Sequence, residues 1–219
     1  MPKRLVIFDL DGTLIDSLED LGAAVNHALS LRGLPLHTRG EYRRMVGHGV
    51  RNLVEKALEA SVGTGPFPSE EVDAALADFK EYYSAHIDVH TRPYPGIPEL
   101  LADLQAAGVR LAVASNKFQE GTERLIRSLF PDIQFVAILG NRPGYPLKPA
   151  PEIVQEVLRK ADIGPSDAVM VGDSPTDMRT AANGGIEGLA VTWGYRTADE
   201  LAGHRLVHSV PELRGLLFQ

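Results

Sequence analysis

Cysteine is absent from the 219-residue sequence, and its absence excludes several kinds of chemistry together. Disulfides, thiolate metal sites and cysteine nucleophiles all require this residue, and a chain without it suits a reducing cytoplasm. Long apolar runs are also missing. The run at residues 5–8 ends at Asp9, which makes it too short for a signal-peptide core, and nothing later approaches the roughly 18 apolar residues of a membrane span. We therefore expect a cytoplasmic protein that is neither exported nor embedded in a membrane.

The sequence also lacks an excess of positive charge. Its 22 Lys and Arg are outnumbered by 29 Asp and Glu, so the formal net charge is -7 and a long polyanion would be repelled. Two short motifs are missing as well. A nucleotide-binding P-loop requires a Gly-Lys pair, and the sequence contains none. The His-Glu-x-x-His motif of many zinc sites is also absent. Nucleic acid is therefore not an expected partner.

The N-terminal part of the sequence predicts one strand followed by a group of helices. Residues 4–10 form a short, almost continuous apolar run, which is typical of a parallel strand covered on both faces. From Ser17 onward the apolar residues follow a helical spacing. Two pairs, Ser17 with Asp20 and Thr38 with Glu41, resemble capping boxes at helix starts. We interpret these helices as a small bundle.

The remainder of the sequence alternates between strand and helix patterns, as a doubly wound parallel sheet does. The predicted strands are 109–114, 134–139, 168–172 and 188–192, and the predicted helices are 97–107, 120–129, 151–161, 176–183 and one opened by Pro211. We therefore predict an α/β core formed by residues 1–15 and 92–219. Residues 16–91 are predicted to form a helical cap inserted into that core.

Two aspartates follow the first predicted strand. Asp9 and Asp11 are two residues apart, so extended backbone places both carboxylates on the same side, and Gly12 permits a sharp turn after them. Ligands of an open α/β sheet bind beyond the carboxyl ends of its strands, so both carboxylates are expected to face a crevice. An ordinary strand-end turn is the alternative interpretation, since Asp and Gly are common in turns.

Three later groups of polar residues are compatible with the same crevice. Ser115 and Asn116 follow a predicted strand, where a hydroxyl and free backbone N–H groups can seat an anion. Lys148 offers an ammonium that offsets phosphate charge, and Asp173 and Asp177 follow another strand. Singly, each has an ordinary interpretation as a helix cap or a solvated lysine. Together the carboxylates supply hard oxygen ligands without histidine or thiolate, which suits Mg²⁺ rather than Zn²⁺.

As a set, these motifs resemble the haloacid dehalogenase superfamily of phosphatases. They are FDLDGTLIDS at 8–17, VASNK at 113–117, LKPAPE at 147–152 and VGDSPTD at 171–177. The helical insertion resembles the small cap of that superfamily, whose core is Rossmann-like. Three further segments are similar to phosphoglycolate phosphatases and their near relatives, namely GHGVRNLVEKAL at 47–58, YPGI at 94–97 and VTWGY at 191–195.

The resemblance implies a covalent phosphatase mechanism. Asp9 would attack phosphorus and become an aspartyl-phosphate, while Asp11 would protonate the departing alcohol and then activate water. Mg²⁺ would be held by Asp9, Asp173 and the backbone carbonyl of Asp11. These expectations make Asp9 and Asp11 the predicted catalytic residues.

Supporting roles are predicted for the remaining motif residues. Ser115, Asn116 and Lys148 are expected to bind the phosphate, and Ser115 keeps the hydroxyl of the threonine that the relatives often carry at this position. Thr13 is expected to steady the turn after the nucleophile. Asp177 is expected to order Lys148 or a metal-bound water rather than bind the metal directly.

The predicted cap favours a small substrate, because a cap that closes over the crevice excludes water and limits access. Small phosphorylated metabolites are therefore expected rather than phosphoproteins. Arg51 lies beside the apolar stripe of its helix, and we hypothesise that it reads the substrate's non-phosphate end, such as the carboxylate of phosphoglycolate. A solvated helix arginine is the alternative.

Two other functions stay open at the level of the sequence. A phosphosugar mutase of the same superfamily would use Asp9 and Asp11 in the same way but return the phosphoryl group to its substrate. A non-catalytic phosphate-binding protein is the other alternative, and the intact set of Asp9, Asp11, Lys148 and Asp173 argues against it. A monomer or a homodimer is expected.

Overall fold

The computed structural model describes residues 3–63 and 65–219, which form two compact units. The first unit combines the N-terminal segment through Asp16 with Pro93–Gln219, and the second unit is Ser17–Arg92. The predicted limits of the α/β core, residues 15 and 92, each lie one residue from these boundaries. That the second unit acts as a cap stays a prediction.

The strands of the chain are short and most of them belong to the first unit. In chain order they are β1 (Leu5–Phe8), β2 (Ile15–Asp16), β3 (Arg92–Pro93), β4 (Arg110–Phe118), β5 (Phe135–Asn141), β6 (Ala168–Gly172), β7 (Glu187–Val191) and β8 (Leu206–Val207). The helices are α1 (Leu18–Ser30), α2 (Arg39–Met45), α3 (Val50–Val62), α4 (Ser69–His86), α5 (Ile97–Ala106), α6 (Gln119–Leu129), α7 (Glu152–Ala161), α8 (Pro175–Asn183) and α9 (Val210–Leu217).

The first unit is built on a six-stranded sheet with the strand order β5-β4-β1-β6-β7-β8, and all of its neighbouring strands are parallel. The predicted α/β fold with a parallel sheet is therefore confirmed. Strand β1 lies between β4 and β6, so the chain order reverses on either side of it. Ligand sites of open α/β sheets lie at such a reversal, beyond the carboxyl ends of the strands.

The core of the first unit explains why its strands read as apolar runs. All four side chains of β1 are fully buried, and the side chains of β6 are buried along its whole length. Helix α7 presents Ile153, Val154 and Val157 to this core. A strand covered on both faces has no solvent side, which is why the sequence shows continuous rather than alternating hydrophobicity.

The second unit consists of α1 to α4, with α1 packed against α4. The predicted capping box of Thr38 and Glu41 is confirmed at the start of α2, where each side chain bonds the other residue's backbone N–H. The one predicted for Ser17 and Asp20 is wrong, because Ser17 makes no side-chain capping bond to α1. The Asp20 carboxylate instead accepts hydrogen bonds from the backbone N–H groups of His90 and Thr91 at the end of the unit.

Other differences from the predicted elements are small except in β4. This strand continues to Phe118, beyond the predicted end at residue 114, with a register shift against β5 after Ala114. The short strand β8 was not predicted, because two residues carry too little periodicity to identify a strand. Among the residues that the structure describes, no helix is both long and apolar enough to cross a membrane.

Candidate active site

The carboxyl ends of β1, β4 and β6 place the predicted site residues at one edge of the sheet. The backbone N–H of Asp9 donates to the carbonyl of Val171 at 2.9 Å, which extends the pairing of β1 with β6 by one residue. The chain then turns sharply. Gly12 has a φ of 89°, a left-handed conformation that favours glycine, and its N–H donates to the carbonyl of Ile15 at 2.8 Å.

Three carboxylates converge at this edge. One oxygen atom from each of Asp9, Asp173 and Asp177 lies within 4.8 Å of the other two, and all three residues are buried. Two of the groups come from the β6 end and one from the β1 end, as the strand order requires. Such a concentration of buried negative charge is costly unless cations compensate it.

Lys148 supplies one compensating charge. Its buried Nζ lies 2.9 Å from Asp9 Oδ1 and 2.6 Å from Asp177 Oδ1, and it donates to the carbonyl of Ala114 at 2.8 Å. The ammonium therefore uses its donors on two carboxylates and the end of β4. This geometry gives Asp177 the contact that its predicted ordering role requires.

Asp177 is itself fixed by the start of α8. Its Oδ2 accepts hydrogen bonds from the Ser174 backbone N–H at 3.0 Å and from the Ser174 hydroxyl at 2.6 Å. The two residues form a capping box, so one Asp177 oxygen caps the helix while the other holds Lys148. Helix capping and the organisation of the site are therefore functions of the same side chain, and neither excludes the other.

The buried carboxylates have strongly perturbed acidities. Burial, together with repulsion by Asp177, raises the pKa of Asp9 to about 7 even though Lys148 opposes the change. Burial and the same neighbour, followed by Asp9, raise the pKa of Asp173 well above its usual value. Burial alone would lower the pKa of Lys148, but Asp177 and Asp9 raise it overall. The site therefore holds more negative charge than one lysine balances, which favours the binding of a further cation.

Ser115 and Asn116 lie within the irregular end of β4 rather than after it. The Asn116 side chain is bonded to the backbone of Lys148, accepting its N–H at 2.8 Å and donating to its carbonyl at 3.2 Å. Asn116 thus fixes the position of the lysine. The buried Ser115 hydroxyl accepts the backbone N–H of Lys117 at 3.2 Å.

Lys117 is a site residue that the sequence reasoning missed. Its Nζ lies 3.1 Å and 3.3 Å from the two carboxylate oxygens of Asp11, and only 3% of its side chain is exposed. A lysine is rarely buried unless it is paired. The sequence offered one signal, the position of Lys117 directly after Ser115 and Asn116 in the VASNK motif, but that position does not indicate that its side chain is buried.

The segment after β7 makes hydrogen bonds to two of the predicted site residues, Asp173 and Thr13. The backbone N–H of Tyr195 donates to Asp173 Oδ2 at 2.6 Å, and the Trp193 indole donates to the carbonyl of Thr13 at 3.2 Å. Between them, Gly194 packs so tightly that an added Cβ would lie 2.4 Å from Asp173 Oδ2. The bond from the Trp193 indole uses only the backbone carbonyl of Thr13. The buried side-chain hydroxyl of Thr13 makes no hydrogen bond to the residues that the structure describes.

Arg51 lies on α3 in the second unit, whereas the residues described above lie in the first. Its guanidinium pairs with Asp73, contacts Glu55 at 3.1 Å and donates to the Ser69 hydroxyl at 3.0 Å. All three partners lie in the same unit. The contacts of the first unit bring together Asp9, Asp173, Asp177 and Lys148, with Asn116 bonded to the backbone of Lys148.

Known proteins resemble this chain over most of its length. The family model described as haloacid dehalogenase-like hydrolase matches residues 6–191. The phosphoglycolate phosphatase of Mesorhizobium japonicum is 38% identical over 195 residues, which cover 89% of this chain and 85% of the relative. Phosphoglycolate phosphatase 1 of Pseudomonas aeruginosa is 37% identical over 220 residues, which cover 98% of this chain and 78% of that relative. A solved structure from Lactobacillus delbrueckii subsp. bulgaricus, assigned as a phosphoglycolate phosphatase, has a TM-score of 0.92, 32% identity and 99% coverage of both chains.

Proposed function

Because this chain belongs to the haloacid dehalogenase-like hydrolase family, we propose that it hydrolyses small phosphate monoesters through an aspartyl-phosphate on Asp9. The chain is an enzyme, a phosphoric monoester hydrolase of the phosphoglycolate phosphatase type, and phosphoglycolate is the substrate we propose for it. One observation carries the mechanism. The Lys148 ammonium lies 2.9 Å from Asp9 Oδ1 in a buried site, where a cation beside a carboxylate can receive a phosphate dianion.

The carboxylates of the site fit Mg²⁺. Burial and repulsion by Asp177 raise the pKa of both Asp9 and Asp173, and a divalent cation between the two groups would relieve that cost. Their oxygens are the hard ligands that Mg²⁺ prefers. The carboxylates of Asp9 and Asp173 and the backbone carbonyl of Asp11 would hold the ion. When bound, it supplies positive charge that offsets the charge of the phosphate.

Asp9 is the proposed nucleophile. One of its oxygens forms a bond to phosphorus while the bond from phosphorus to the departing alcohol oxygen breaks. Lys148 touches the same carboxylate and would hold a phosphate oxygen beside it, and Ser115 offers a hydroxyl from the end of β4. Hydrolysis of the resulting acyl phosphate then restores Asp9.

Asp11 is the proposed proton carrier for both steps. It gives its proton to the departing alcohol oxygen and later takes one from the attacking water, so a single carboxyl returns to its starting state. Its side chain keeps 19% of its surface exposed, compared with 12% for Asp9. Access of this kind suits a group that must meet both the substrate and water.

The direct test is an assay of phosphate release. The purified protein with Mg²⁺ should release inorganic phosphate from p-nitrophenyl phosphate and, in a panel of phosphorylated metabolites, from phosphoglycolate. A phosphosugar mutase would instead convert a phosphosugar into its isomer with little release of phosphate. Binding without release from any compound would indicate a non-catalytic phosphate-binding protein and contradict the proposal.

Gly194→Ala is expected to weaken Mg²⁺ activation. The added Cβ would lie 2.3 Å from the carbonyl oxygen of Gly12 and 2.4 Å from Asp173 Oδ2, so the proposed metal ligand must shift. Displacement of groups that orient metal ligands typically costs roughly 10- to 100-fold in metal affinity. The Mg²⁺ concentration for half-maximal activity should rise by that factor. Gly164→Ala is the matched control, because nothing lies within 4 Å of its added Cβ.

The specificity role of Arg51 stays a prediction. Its guanidinium is engaged by Asp73, Glu55 and Ser69, so binding a substrate carboxylate would require it to leave these partners. If Arg51 binds the substrate's carboxylate, Arg51→Ala should change the order of preference across the metabolite panel. The largest loss of kcat/KM should be the loss for phosphoglycolate. An unchanged order, with only a small loss of stability from the broken surface pairs, would dismiss the role.

A further inference from the structure

The pairing of Lys117 with Asp11 places a second buried ammonium at the site, apart from Lys148. Its Nζ contacts both carboxylate oxygens of Asp11, at 3.1 Å and 3.3 Å. Lys148, by contrast, contacts Asp9 and Asp177. The two lysines therefore pair with different carboxylates. The phosphate-binding role proposed for Lys148 leaves the function of Lys117 unassigned.

The position of Lys117 is fixed by its backbone. Its N–H donates to the Ser115 hydroxyl at 3.2 Å, and its carbonyl accepts the Thr122 hydroxyl at 3.3 Å. Gly140 of β5 packs against the same carbonyl, since an added Cβ there would approach it to 2.6 Å. The irregular end of β4 thus directs this side chain toward Asp11, and a preorganised cation of this kind suits ligand binding.

The chemistry of the proposed substrate connects its carboxylate to this ammonium. An oxygen that takes a proton from Asp11 must come within about 3 Å of that carboxyl group. Lys117 Nζ is already a neighbour of the same group. In phosphoglycolate, a single methylene separates the ester oxygen from the carboxylate carbon. When the ester oxygen lies at Asp11, the substrate carboxylate therefore falls within reach of Lys117.

We propose that Lys117 is a specificity-determining residue that binds the carboxylate of a 2-phospho-carboxylic acid substrate. This inference rests on the proposed phosphatase function and narrows its substrate class to phosphate esters with a carboxylate one carbon from the ester oxygen. The ammonium donates to the substrate carboxylate as well as to Asp11. Esters without that carboxylate make no such contact and are bound less well.

Lys117→Met tests the proposal, because it keeps an unbranched side chain as far as the ε position and removes the ammonium group. Phosphoglycolate and ethyl phosphate are compared as substrates, since they share the carbon skeleton of the leaving group apart from the carboxylate. The preference is the ratio of the two kcat/KM values, so any general damage to Asp11 cancels. We expect the preference for phosphoglycolate to fall by roughly 10- to 100-fold, the usual loss for a charged hydrogen bond.

Controls separate the charge of Lys117 from its packing. Lys117→Arg should retain part of the preference, because it keeps the charge. Lys160→Met, on the exposed surface of α7, should leave the preference at its wild-type value. A second readout needs little turnover: glycolate should inhibit hydrolysis of p-nitrophenyl phosphate by the wild-type enzyme, and at least tenfold more weakly in Lys117→Met.

Equal losses of kcat/KM for phosphoglycolate and ethyl phosphate, with unchanged inhibition by glycolate, would overturn the proposal and leave Lys117 as a positioning residue for Asp11. A wild-type protein that hydrolyses p-nitrophenyl phosphate but shows no preference for phosphoglycolate would also overturn it, while leaving the phosphatase function intact. Absence of all hydrolysis by the wild-type protein would contradict the phosphatase function itself and the inference with it.

Discussion

Asp9→Asn should abolish turnover while leaving the fold intact. The amide is nearly isosteric with the carboxylate but is a poor nucleophile, so the covalent step is lost, and kcat should fall by at least roughly 10³-fold. Burial and Asp177 already raise the pKa of Asp9, so removing its negative charge relieves repulsion in the folded protein. The thermal midpoint of the metal-free protein should therefore stay the same or increase. Phosphate release and thermal unfolding together measure both outcomes.

The control for Asp9→Asn uses a carboxylate in another part of the chain. Asp78 pairs with Arg32 at 2.7 Å, and both residues belong to the second unit, so Asp78→Asn removes a paired charge outside the unit that holds the proposed catalytic residues. Its kcat should match that of the wild-type protein. Substantial phosphatase activity in Asp9→Asn would show that the nucleophile is another group.

Removal of the metal should be nearly as damaging. After treatment with a chelator, the site keeps buried negative charge that Lys148 alone does not balance, and this charge repels a phosphate dianion. We therefore expect activity to fall by more than about 10²-fold and to return when Mg²⁺ is added. Asp173→Asn should lose this recovery, because it removes a proposed ligand. Added Mg²⁺ should raise the thermal midpoint of the wild-type protein but not that of Asp173→Asn.

One control variant accompanies the metal prediction. Asp167→Asn changes an aspartate that pairs with Arg4 in the same unit, and it should respond to Mg²⁺ as the wild-type protein does. Full activity after exhaustive chelation, with no response to added Mg²⁺, would show that the reaction proceeds without the ion.

The parallel sheet and its motif order were predictable from the sequence for a physical reason. Strands buried on both faces must be continuously apolar, so β1 and β6 are visible as runs that stop at Asp9 and Asp173. Parallel strands end at the same edge of a sheet, so residues far apart in the sequence were expected to meet. The resemblance to haloacid dehalogenase-like phosphatases, inferred from those motifs, is confirmed by the family match.

Contacts made by backbone groups were not predictable in this way. The N–H of Tyr195 bonds Asp173, and no side-chain type in the VTWGY segment indicates that contact. Asp20 illustrates the same limit in the second unit. Its sequence spacing from Ser17 fits a capping box, but its carboxylate instead accepts hydrogen bonds from the backbone N–H groups of His90 and Thr91, about 70 residues further along the chain.

Lys117 escaped prediction because charge alone does not indicate burial. Most lysines are solvated, and the residue lies beyond the predicted end of its strand at 114. The register of β4 against β5 shifts after Ala114, and Ser115, Asn116 and Lys117 in this irregular segment are buried. Such irregularities depend on tertiary packing rather than on local sequence. The same cause explains why Asn116 holds the backbone of Lys148.

The most direct measurement is a crystal structure of the protein loaded with Mn²⁺, which substitutes for Mg²⁺ and is located by its anomalous scattering. We expect one ion at the carboxyl edge of the sheet, coordinated by the Asp9 and Asp173 carboxylates and the carbonyl oxygen of Asp11, with Lys148 on Asp9 and Asp177. Absence of an ion there, or an ion coordinated only by other residues, would contradict the shared metal site on which the mechanism depends.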